Sequence, residues 1–251
     1  MNAVIQSLLN HRSIRAYSDK PVEEEHLRTI LLAAQAAPNW INGQQVSVIV
    51  VRDSARKAKL AELCNRQKHI EQAPVFLVFC IDFYRLRLAG EMERMAPGAL
   101  EEDLDPLLVG ATDVGIALGT AVAAAESLGL GTVPIGSIRR HALDVIRELG
   151  LPEGVFPVSG LCVGHPAEDP GLKPRLPFES FSHDETYNRD QKPLMERYNA
   201  VYADYLKKRG EPSPAPNAWT RRIASYYHKS YYEGIIAALD HQKLLPRAFR
   251  R

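Results

Sequence analysis

The mostly apolar run from Leu107 to Leu130, LLVGATDVGIALGTAVAAAESLGL, limits what this chain can fold into more than any other segment. It is long enough to span a membrane, but Asp113 and Glu126 interrupt it, and its Gly and Ala residues outnumber its bulky side chains. A charge at bilayer depth costs about 2.5–3.5 kcal/mol on insertion scales, and alanines offset little of that cost. We therefore predict a long helix buried at the centre of a protein core, with no membrane contact.

The charge balance and the cysteine usage narrow the class of protein. The chain has 251 residues with 31 Lys+Arg against 30 Asp+Glu, so its net charge of +1 gives no basic excess to attract nucleic acid or an anionic membrane. An apolar fraction of 45% is typical of a soluble globular protein. The three cysteines match no zinc pattern, and Cys80 and Cys162 lie in apolar runs that favour buried, reduced thiols. An N-terminus without signal-peptide features adds to the prediction of a cytoplasmic location.

The remaining pattern predicts an α+β fold. Runs of β-branched and apolar residues predict strands at 46–51, 75–81 and 158–163, with a short extended piece at 132–137. Apolar periodicity and breaking residues predict helices at 4–9, 27–36, 55–64, 142–149, 191–208 and 218–241. The Pro-rich connector 211–216 separates the last two, and residues 90–103 are expected to form a mobile acidic loop. The strands are too few and too irregularly spaced for a barrel or a regular doubly wound sheet.

The motifs of common enzyme classes do not account for this sequence. Gly129-Leu130-Gly131, with Gly136 downstream, looks like a dinucleotide fingerprint, but it closes a helix and enters a strand, which is the reverse of the required context. A helix cap followed by a turn is one interpretation, and a glycine-lined approach to a flat ligand is the other. The sequence contains no Walker, HExxH or GxSxG motif, and its eight histidines lack metal-ligand spacing. We therefore predict no metal, and a cofactor that brings the reactivity.

Two basic clusters are the strongest functional candidates. His11-Arg12-Ser13-Ile14-Arg15 offers two guanidiniums, a hydroxyl and an imidazole close to the end of a helix. Such a group can surround a phosphate dianion, with charge-assisted hydrogen bonds of about 1.5–3 kcal/mol each. Lys173 and Arg175 form a second cationic group in a proline-stiffened segment. Each cluster alone is also typical of a solvated surface turn or strip.

Taken together, these segments resemble the nitroreductase family, and within it the NADPH-dependent, oxygen-insensitive nitroreductases and flavin reductases that hold FMN. The resemblance covers about residues 4–210. It rests on HRSIR at 11–15, QKH at 67–69, AESLGLG at 125–131, PIGSIR at 134–139, GLCVG at 160–164 and LKPRLP at 172–177, which occur in the family's order and spacing.

The resemblance implies a set of binding residues. The FMN phosphate is gripped in such proteins by residues matching Arg12, Ser13, Arg15, Lys173 and Arg175. Positions matching His11, Asn39, Gln67, His69, Ile135, Gly136 and Ser137 complete the cofactor set; within it, the Gly136 backbone lies against the isoalloxazine, where a side chain would clash. Positions matching Trp40, Asn42, Gln44, Arg139 and Arg209 contact the substrate or NAD(P)H. In such proteins, positions matching Asn39, Trp40, Asn42 and Gln44 line the flavin across a dimer interface.

The chain departs from this branch at two places. A serine run is common where this chain reads Pro38-Asn39-Trp40-Ile41, so we expect Trp40 to narrow or remodel the substrate opening. Arg209 matches a residue that reads the NADPH 2′-phosphate, but Pro214 stands where its usual partner falls, and Arg221 or Arg222 are the alternatives. The C-terminal tyrosines at 226–232 have no close match in the family and are expected to pack between helices.

The resemblance implies a homodimeric enzyme with a central mixed sheet and a long buried helix. It implies one FMN-binding domain over 1–251, with 182–251 as a helical extension. Two electrons would pass by a ping-pong mechanism from NADPH or NADH to a nitroaromatic, quinone or flavin acceptor. A non-catalytic flavin store or sensor is the alternative, with Trp40 or the 90–103 segment as a cover. A specialised enzyme that fragments its flavin or removes halogen from an aromatic ring is a third option.

Overall fold

A computed structural model describes residues 1–211 and 215–249 of the chain. The chain divides into two compact units. The first contains residues 1–170 and the C-terminal residues from 232 onward, and the second contains residues 171–231.

The first unit is built on a sheet of four strands, β1 (Val46–Val51), β2 (Val75–Asp82), β3 (Gly131–Ile135) and β4 (Val155–Gly164), in the order β1-β2-β4-β3. All neighbouring strands pair antiparallel, and β2 and β4 are the two central strands of the sheet. Every residue of β2 is buried, because its side chains are covered on both faces of the sheet. Among the described residues, parallel pairing is limited to an isolated bridge between Ser13 and Thr132, so the predicted mixed sheet is mixed only through that bridge.

Most of the described α-helices belong to the first unit, and two belong to the second unit. The first unit contains α1 (Ala3–Leu9), α2 (Glu24–Gln35), α3 (Ser54–Leu63), α4 (Lys68–Gln72), α5 (Tyr84–Glu93), α6 (Ala99–Glu102), α7 (Asp105–Ser127), α8 (Ala142–Leu149) and α11 (Ile235–His241). The second unit contains α9 (Lys192–Lys208) and α10 (Ala218–Tyr227). The predicted α+β class and the main helices are therefore confirmed.

Two local predictions are wrong. Much of the segment 90–103 is helical rather than a loop. Helix α5 continues to Glu93 and is closed by Arg94 in a left-handed conformation (φ 56°), and α6 follows after a short break. The single helix predicted over 218–241 is interrupted from 228 to 234, and α11 begins after Gly234.

The long helix α7 is confirmed, but its complete burial is wrong. Its buried positions are Gly110, Asp113, Val114, Ala117, Ala121 and Ala125, which repeat every three or four residues and form one face. That face packs against β2 and α2, and at Gly110 the approach is so close that an added Cβ would lie 2.9 Å from Ile81. The opposite face carries Leu108 and Ile116, which are exposed in the isolated chain.

By length and composition alone α7 could cross a membrane. Its packing argues otherwise, because its buried face is matched to the sheet and to α2, and the carboxylates of Asp113 and Glu126 both accept hydrogen bonds from other parts of the chain. These are the properties of a core helix in a folded domain.

The second unit is held by contacts between its own helices. The Asn199 side chain of α9 pairs with Thr220 of α10 through two bonds of 3.1 Å, and the Tyr198 ring meets Trp219 edge-on at 5.3 Å. The Tyr198 hydroxyl donates to Pro174 O at 2.8 Å, which fastens the segment that carries Lys173 and Arg175 to α9. Tyr226, Tyr227 and Tyr231 are exposed, so the expectation that the C-terminal tyrosines are packed is wrong for these three.

All three cysteines are buried and unpaired, which confirms the predicted reduced thiols. Burial raises the pKa of Cys64 and of Cys80 to about 12 and moves the pKa of Cys162 in the same direction. Thiols that stay protonated at neutral pH are poor nucleophiles, so their role here is packing.

Candidate functional site

The basic segment, residues 11–15, is fixed to the sheet through its backbone. Ile14 N donates to Thr132 O at 2.9 Å, and Ser13 forms a parallel bridge with the same residue. The Ile14 side chain is buried against Gly131, where an added Cβ would lie 2.8 Å from it. Because Ile14 takes the buried position, the Arg15 side chain remains exposed and Arg12 and Ser13 remain half-exposed. The segment can therefore offer its cationic groups to a ligand without unfolding.

Two acidic residues adjoin the basic segment at the end of β4. The Glu168 carboxylate accepts hydrogen bonds from Arg15 N at 2.6 Å and Ala16 N at 3.1 Å, which fixes the backbone at that point. Asp169 approaches Arg12 at 3.5 Å, but both side chains are well exposed, and a pair of this kind contributes about 1 kcal/mol at most. A phosphate with two charges would compete well for Arg12.

His11 is oriented by the last turn of α7. Its Nδ1 lies 2.7 Å from Glu126 Oε1, and the Thr132 hydroxyl donates to the same oxygen at 3.0 Å. Because a carboxylate oxygen accepts, Nδ1 is the donor and the ring's other nitrogen is left for another partner. Glu126 thus ties three elements together, namely α7, β3 and the basic segment.

Gln67 and Ser137 connect two further predicted segments. Gln67 Nε2 donates to Ser137 Oγ at 2.9 Å, and that hydroxyl donates to Cys64 O at 3.1 Å. Beneath α4, the buried Lys57 ammonium donates to Ala73 O at 2.6 Å, and burial lowers the pKa of this lysine. Helix α4 is therefore held at both ends, by Ser137 through Gln67 before it and by Lys57 through Ala73 after it.

His69 lies close to the basic segment. Burial lowers its pKa, the positive charge of Arg15 lowers it further, and Glu168 opposes the shift. Its Nε2 atom is enclosed and has no hydrogen-bond partner among the described residues. An enclosed nitrogen without a partner is unusual, and a bound ligand is one ordinary explanation.

The first unit therefore brings part of the predicted cofactor set together. The basic segment, the segment 67–69 and the turn after β3 are linked by the contacts above; they contain His11, Arg12, Ser13, Arg15, Gln67, His69, Ile135, Gly136 and Ser137. Gly136 is exposed, and an added Cβ would meet only the Arg139 guanidinium, at 3.6 Å. Arg139 itself donates to Val158 O and lies 6.0 Å from the centre of the Tyr232 ring, so its predicted contact with NAD(P)H would compete with partners inside the chain.

The glycine turn before β3 has a conformational cause. Gly129 has φ 76°, a left-handed conformation that closes α7, and Leu130 N donates to Ala125 O at 3.0 Å. Gly131 is needed for its close contact with Ile14. The helix-cap interpretation is therefore correct for this motif, and Gly136 is left as the exposed glycine of the turn after β3.

The amide loop, residues 39–45, lies at a different place on α7. Asn39 and Gln44 line a groove of about 960 Å³ between α2, β1 and α7, together with Asp113 and Ala117. The described residues that line this groove include none from the basic segment. Asp113 and Glu126 are 13 residues apart in α7, or roughly 20 Å at about 1.5 Å per residue. The single chain thus separates the two predicted parts of the site.

The remaining predicted residues lie in the second unit. Arg175 donates to Lys173 O at 2.9 Å, and the Arg209 guanidinium lies 5.7 Å from the Tyr205 ring centre. That Lys173 and Arg175 join the basic segment around one phosphate stays a prediction. The suggestion about Pro214 lies outside the described residues.

Comparison with known proteins gives the family. The nitroreductase family matches residues 8–165, and the C-terminal domain of that family matches residues 173–247. The chain belongs to the nitroreductase family, which confirms the resemblance of its sequence motifs.

Similar proteins cover almost the whole chain. A Bacillus subtilis protein named FMN reductase (NAD(P)H) is 50% identical over 244 residues, which are 96% of this chain and 98% of that protein. The oxygen-insensitive NADPH nitroreductase of Salmonella typhimurium is 39% identical over 223 residues, 89% of this chain and 90% of its own. The solved structure of B. megaterium NfrA2 has a TM-score of 0.95 at 48% identity and covers 98% of this chain and all (100%) of its own. The nitroreductase-like fold is thereby confirmed.

The lowered pKa of His69 predicts a pH dependence of stability. The unfolded chain takes up this proton near the ordinary pKa of 6.5, whereas the folded chain takes it up only at lower pH. Between the two pKa values the unfolded state holds more protons, so stability falls as the pH is lowered through this window. We expect His69→Gln to lose less stability than the wild type between pH 7.5 and 5.5, measured as the urea midpoint of the apoprotein.

His228→Gln, a change at an exposed histidine, is the control and should follow the wild type. Equal pH dependence in wild type and His69→Gln would show that His69 is not held in its neutral form.

Proposed function

We propose that the chain is an NAD(P)H-dependent FMN oxidoreductase that passes two electrons by a ping-pong mechanism to a nitroaromatic, quinone or flavin acceptor. The observation that carries the proposal is the basic segment of a chain of the nitroreductase family, which is locked by its backbone to β3. His69 lies within the electrostatic influence of Arg15, and Gln67 is hydrogen-bonded to Ser137 in the turn after the same strand. The names of the similar proteins, FMN reductase and NADPH nitroreductase, support the cofactor and the reductant.

The residues of the basic segment suit the phosphate of FMN. Arg12 and Arg15 each supply a guanidinium with several N–H donors, and the Ser13 hydroxyl adds a neutral donor. Lys173 and Arg175 would bring further positive charge to the same dianion. A local excess of this kind, in a chain whose net charge is only +1, is what selective binding of a small dianion requires.

The neighbouring segments suit the rest of the cofactor. The enclosed Nε2 of His69 without a partner among the described residues and the exposed backbone of Gly136, which carries no side chain, are features that a bound flat molecule would use. Gln67, Ile135 and Ser137 would hold the ribityl chain or the edge of the ring, while Asn39 would reach it from the partner copy. The hydrogen bond between Gln67 and Ser137 keeps these two side chains in place beforehand, which lowers the entropy lost on binding.

FMN, when bound, would supply the redox chemistry, namely two-electron transfer from NAD(P)H to the acceptor. The chain's own residues have to bind the cofactor, orient it and leave one of its faces open. Arg209, with Arg221 or Arg222, would meet the 2′-phosphate that distinguishes NADPH from NADH, and Arg139 would lie nearer the cofactor. Trp40, Asn42 and Gln44 would border the opening through which both substrates pass.

A homodimer would bring the amide loop of one copy to the basic segment of the other. The outer face of α7 offers Gly115, Gly119 and the exposed Leu108, and small residues let a second helix approach closely. Helix α1, which contacts α7, has no buried residue, although Val4 and Leu8 are apolar. Exposed apolar surface on adjacent helices is typical of an interface.

We also propose that residues 1–251 form one functional domain, with 182–251 as its helical extension, because the residues assigned by the family resemblance extend from residue 11 to residue 209. Buried, protonated thiols suit the reducing cytoplasm, where we place the protein.

An absorption spectrum tests the function directly. The purified protein should be yellow, with flavin bands that bleach under anaerobic conditions when NADPH or NADH is added and return when a quinone is added. A protein that stays colourless in the presence of FMN would contradict the proposal. Flavin bands that resist both nucleotides would instead identify a flavin store or sensor.

Removal of the cationic side chains should weaken FMN binding selectively. Each lost charge-assisted hydrogen bond is worth about 1.5–3 kcal/mol, so Arg15→Ala and Lys173→Ala should each raise the FMN dissociation constant roughly 10- to 100-fold. Binding of riboflavin, which lacks the phosphate, should change by less than about threefold in a fluorescence titration.

Arg147→Ala removes the same charge from the exposed side of α8 and should leave both ligands unaffected. If Arg15→Ala weakens riboflavin and FMN equally, the phosphate does not lie at the basic segment.

The dimer proposal is tested by the outer face of α7. The wild type should sediment at twice 28.0 kDa, and Leu108→Glu should sediment as a single chain because it places a charge at the helix contact. Met92→Glu alters an exposed apolar residue of α5 and should leave the dimer intact. A wild type of single-chain mass, or a dimeric Leu108→Glu, would refute this arrangement.

A further inference from the structure

Asp113 is a carboxylate in the middle of an apolar helix, and its partners lie 68 to 73 residues away in the chain. The residue is only 4% exposed. Its two oxygens lie 3.1 and 3.3 Å from Trp40 N, and one accepts from Gln45 Nε2 at 3.0 Å. Burial of an unpaired carboxylate costs several kcal/mol, so these donors are needed for the residue to stay in the core.

The two donors flank a strained piece of backbone. Ile41, Asn42 and Gln44 have φ values of 47°, 57° and 49°, in the left-handed region. That conformation costs roughly 1–2 kcal/mol for a residue with a side chain, and a β-branched residue such as Ile41 adopts it rarely. A loop of this kind keeps its shape only if the surrounding structure holds it.

The C-terminal end of the loop has anchors besides Asp113. Arg85 donates to Gln44 O, and Asp82 N donates to Gln45 O at 3.0 Å. Within the loop, Gly43 N donates to Trp40 O at 2.7 Å, and Gln44 N donates to Asn39 Oδ1 at 2.9 Å.

Asp113 differs because it also binds the other end of the strained segment, at Trp40, which Arg85 and Asp82 do not reach. Gln45 is itself only 5% exposed, so this anchor is shielded from water.

The loop presents apolar side chains outward. Trp40 is 59% exposed and Ile41 is 78% exposed in the isolated chain, although both are among the largest apolar residues of the first unit. Asn39, Gln44 and Asp113 line the groove beside them. Backbone strain in a loop that exposes apolar side chains is typical of a loop that binds a ligand or another protein surface.

We propose that Asp113 is a positioning residue that fixes Trp40 at the edge of the acceptor site and so limits the size of the acceptor that enters. This inference rests on the proposed function, which assigns the amide loop to the substrate opening. Asp113 touches neither cofactor nor acceptor. It acts through the backbone of Trp40, and its removal lets the strained segment relax and the tryptophan move away from the opening.

The kinetic test compares a wide and a narrow acceptor. Asp113→Ala removes both acceptor oxygens, so the ratio of kcat/KM for free FMN to kcat/KM for 1,4-benzoquinone should rise at least about threefold. Asp113→Asn keeps one oxygen for Trp40 N and should shift the ratio less, in the same direction. This variant carries the test if Asp113→Ala does not fold.

Val114→Ala is the matched control. Val114 is the next residue of α7, is 1% exposed, and its truncation also leaves a small cavity. It should lower the thermal stability without altering the ratio, because it removes no bond to the amide loop.

A second readout does not depend on turnover. Trp219→Phe leaves Trp40 as the single tryptophan, since the chain contains two. In the apoprotein of this background, the fluorescence anisotropy of Trp40 should fall in Asp113→Ala and remain unchanged in Val114→Ala, because only the first releases the loop.

The outcomes separate the two claims. An unchanged acceptor ratio and anisotropy in folded Asp113→Ala or Asp113→Asn, or equal changes in Val114→Ala, would overturn the role of Asp113. A wild type that reduces neither acceptor would overturn the proposed function and with it the selection of acceptors. The fluorescence anisotropy of Trp40 in the apoprotein would then still show whether Asp113 anchors the loop.

Discussion

The candidate site depends on the hydrogen bonds of two carboxylates of α7, those of Asp113 and Glu126. An apolar helix can bury a carboxylate only if protein donors replace the lost water. Asp113 obtains them from Trp40 N and Gln45, and Glu126 from His11 and Thr132. Each acid therefore fixes one segment that comes from elsewhere in the chain. Because a helix is stiff, the spacing of the two acids also sets the distance between the amide loop and the basic segment.

The basic segment shows how a cationic cluster can be made rigid at little cost in stability. Its buried residue, Ile14, packs against Gly131, and its backbone pairs with Thr132. Glu168 saturates the next two amides through a carboxylate that reaches back from the end of β4. The backbone that carries Arg12 and Arg15 is therefore fixed by hydrogen bonds to its amides rather than by ion pairs of the two guanidiniums. A ligand phosphate does not have to break a strong interaction in order to bind.

The sequence predicted most of the sheet and the helices but not the way they are connected. Apolar runs located β1, β2 and β4, and Gly150 marked the end of α8, because these signals are local. The acidic stretch after Glu93 hid α6, whose four residues include two glutamates. The prediction that α7 is completely buried was wrong, because composition does not show whether the same chain covers both faces of a helix.

Residue type alone singled out the basic segment as a candidate, whereas the amide loop was assigned through the family resemblance, and both assignments stay predictions. Asp113, Glu126 and Glu168 were not predicted as site residues, since their partners lie 68 to 153 residues away. The signal was nevertheless present, because an acid within a long apolar helix requires a partner that the sequence does not name. Helix α7 then has two roles. Asp113 on its buried face and Glu126 near its C-terminal end order the two halves of the site within one chain. In the proposed homodimer, the outer face with Gly115 and Gly119 would set how the halves of two chains meet. Because one rigid helix carries both faces, assembly and site geometry would not be independent properties of this protein.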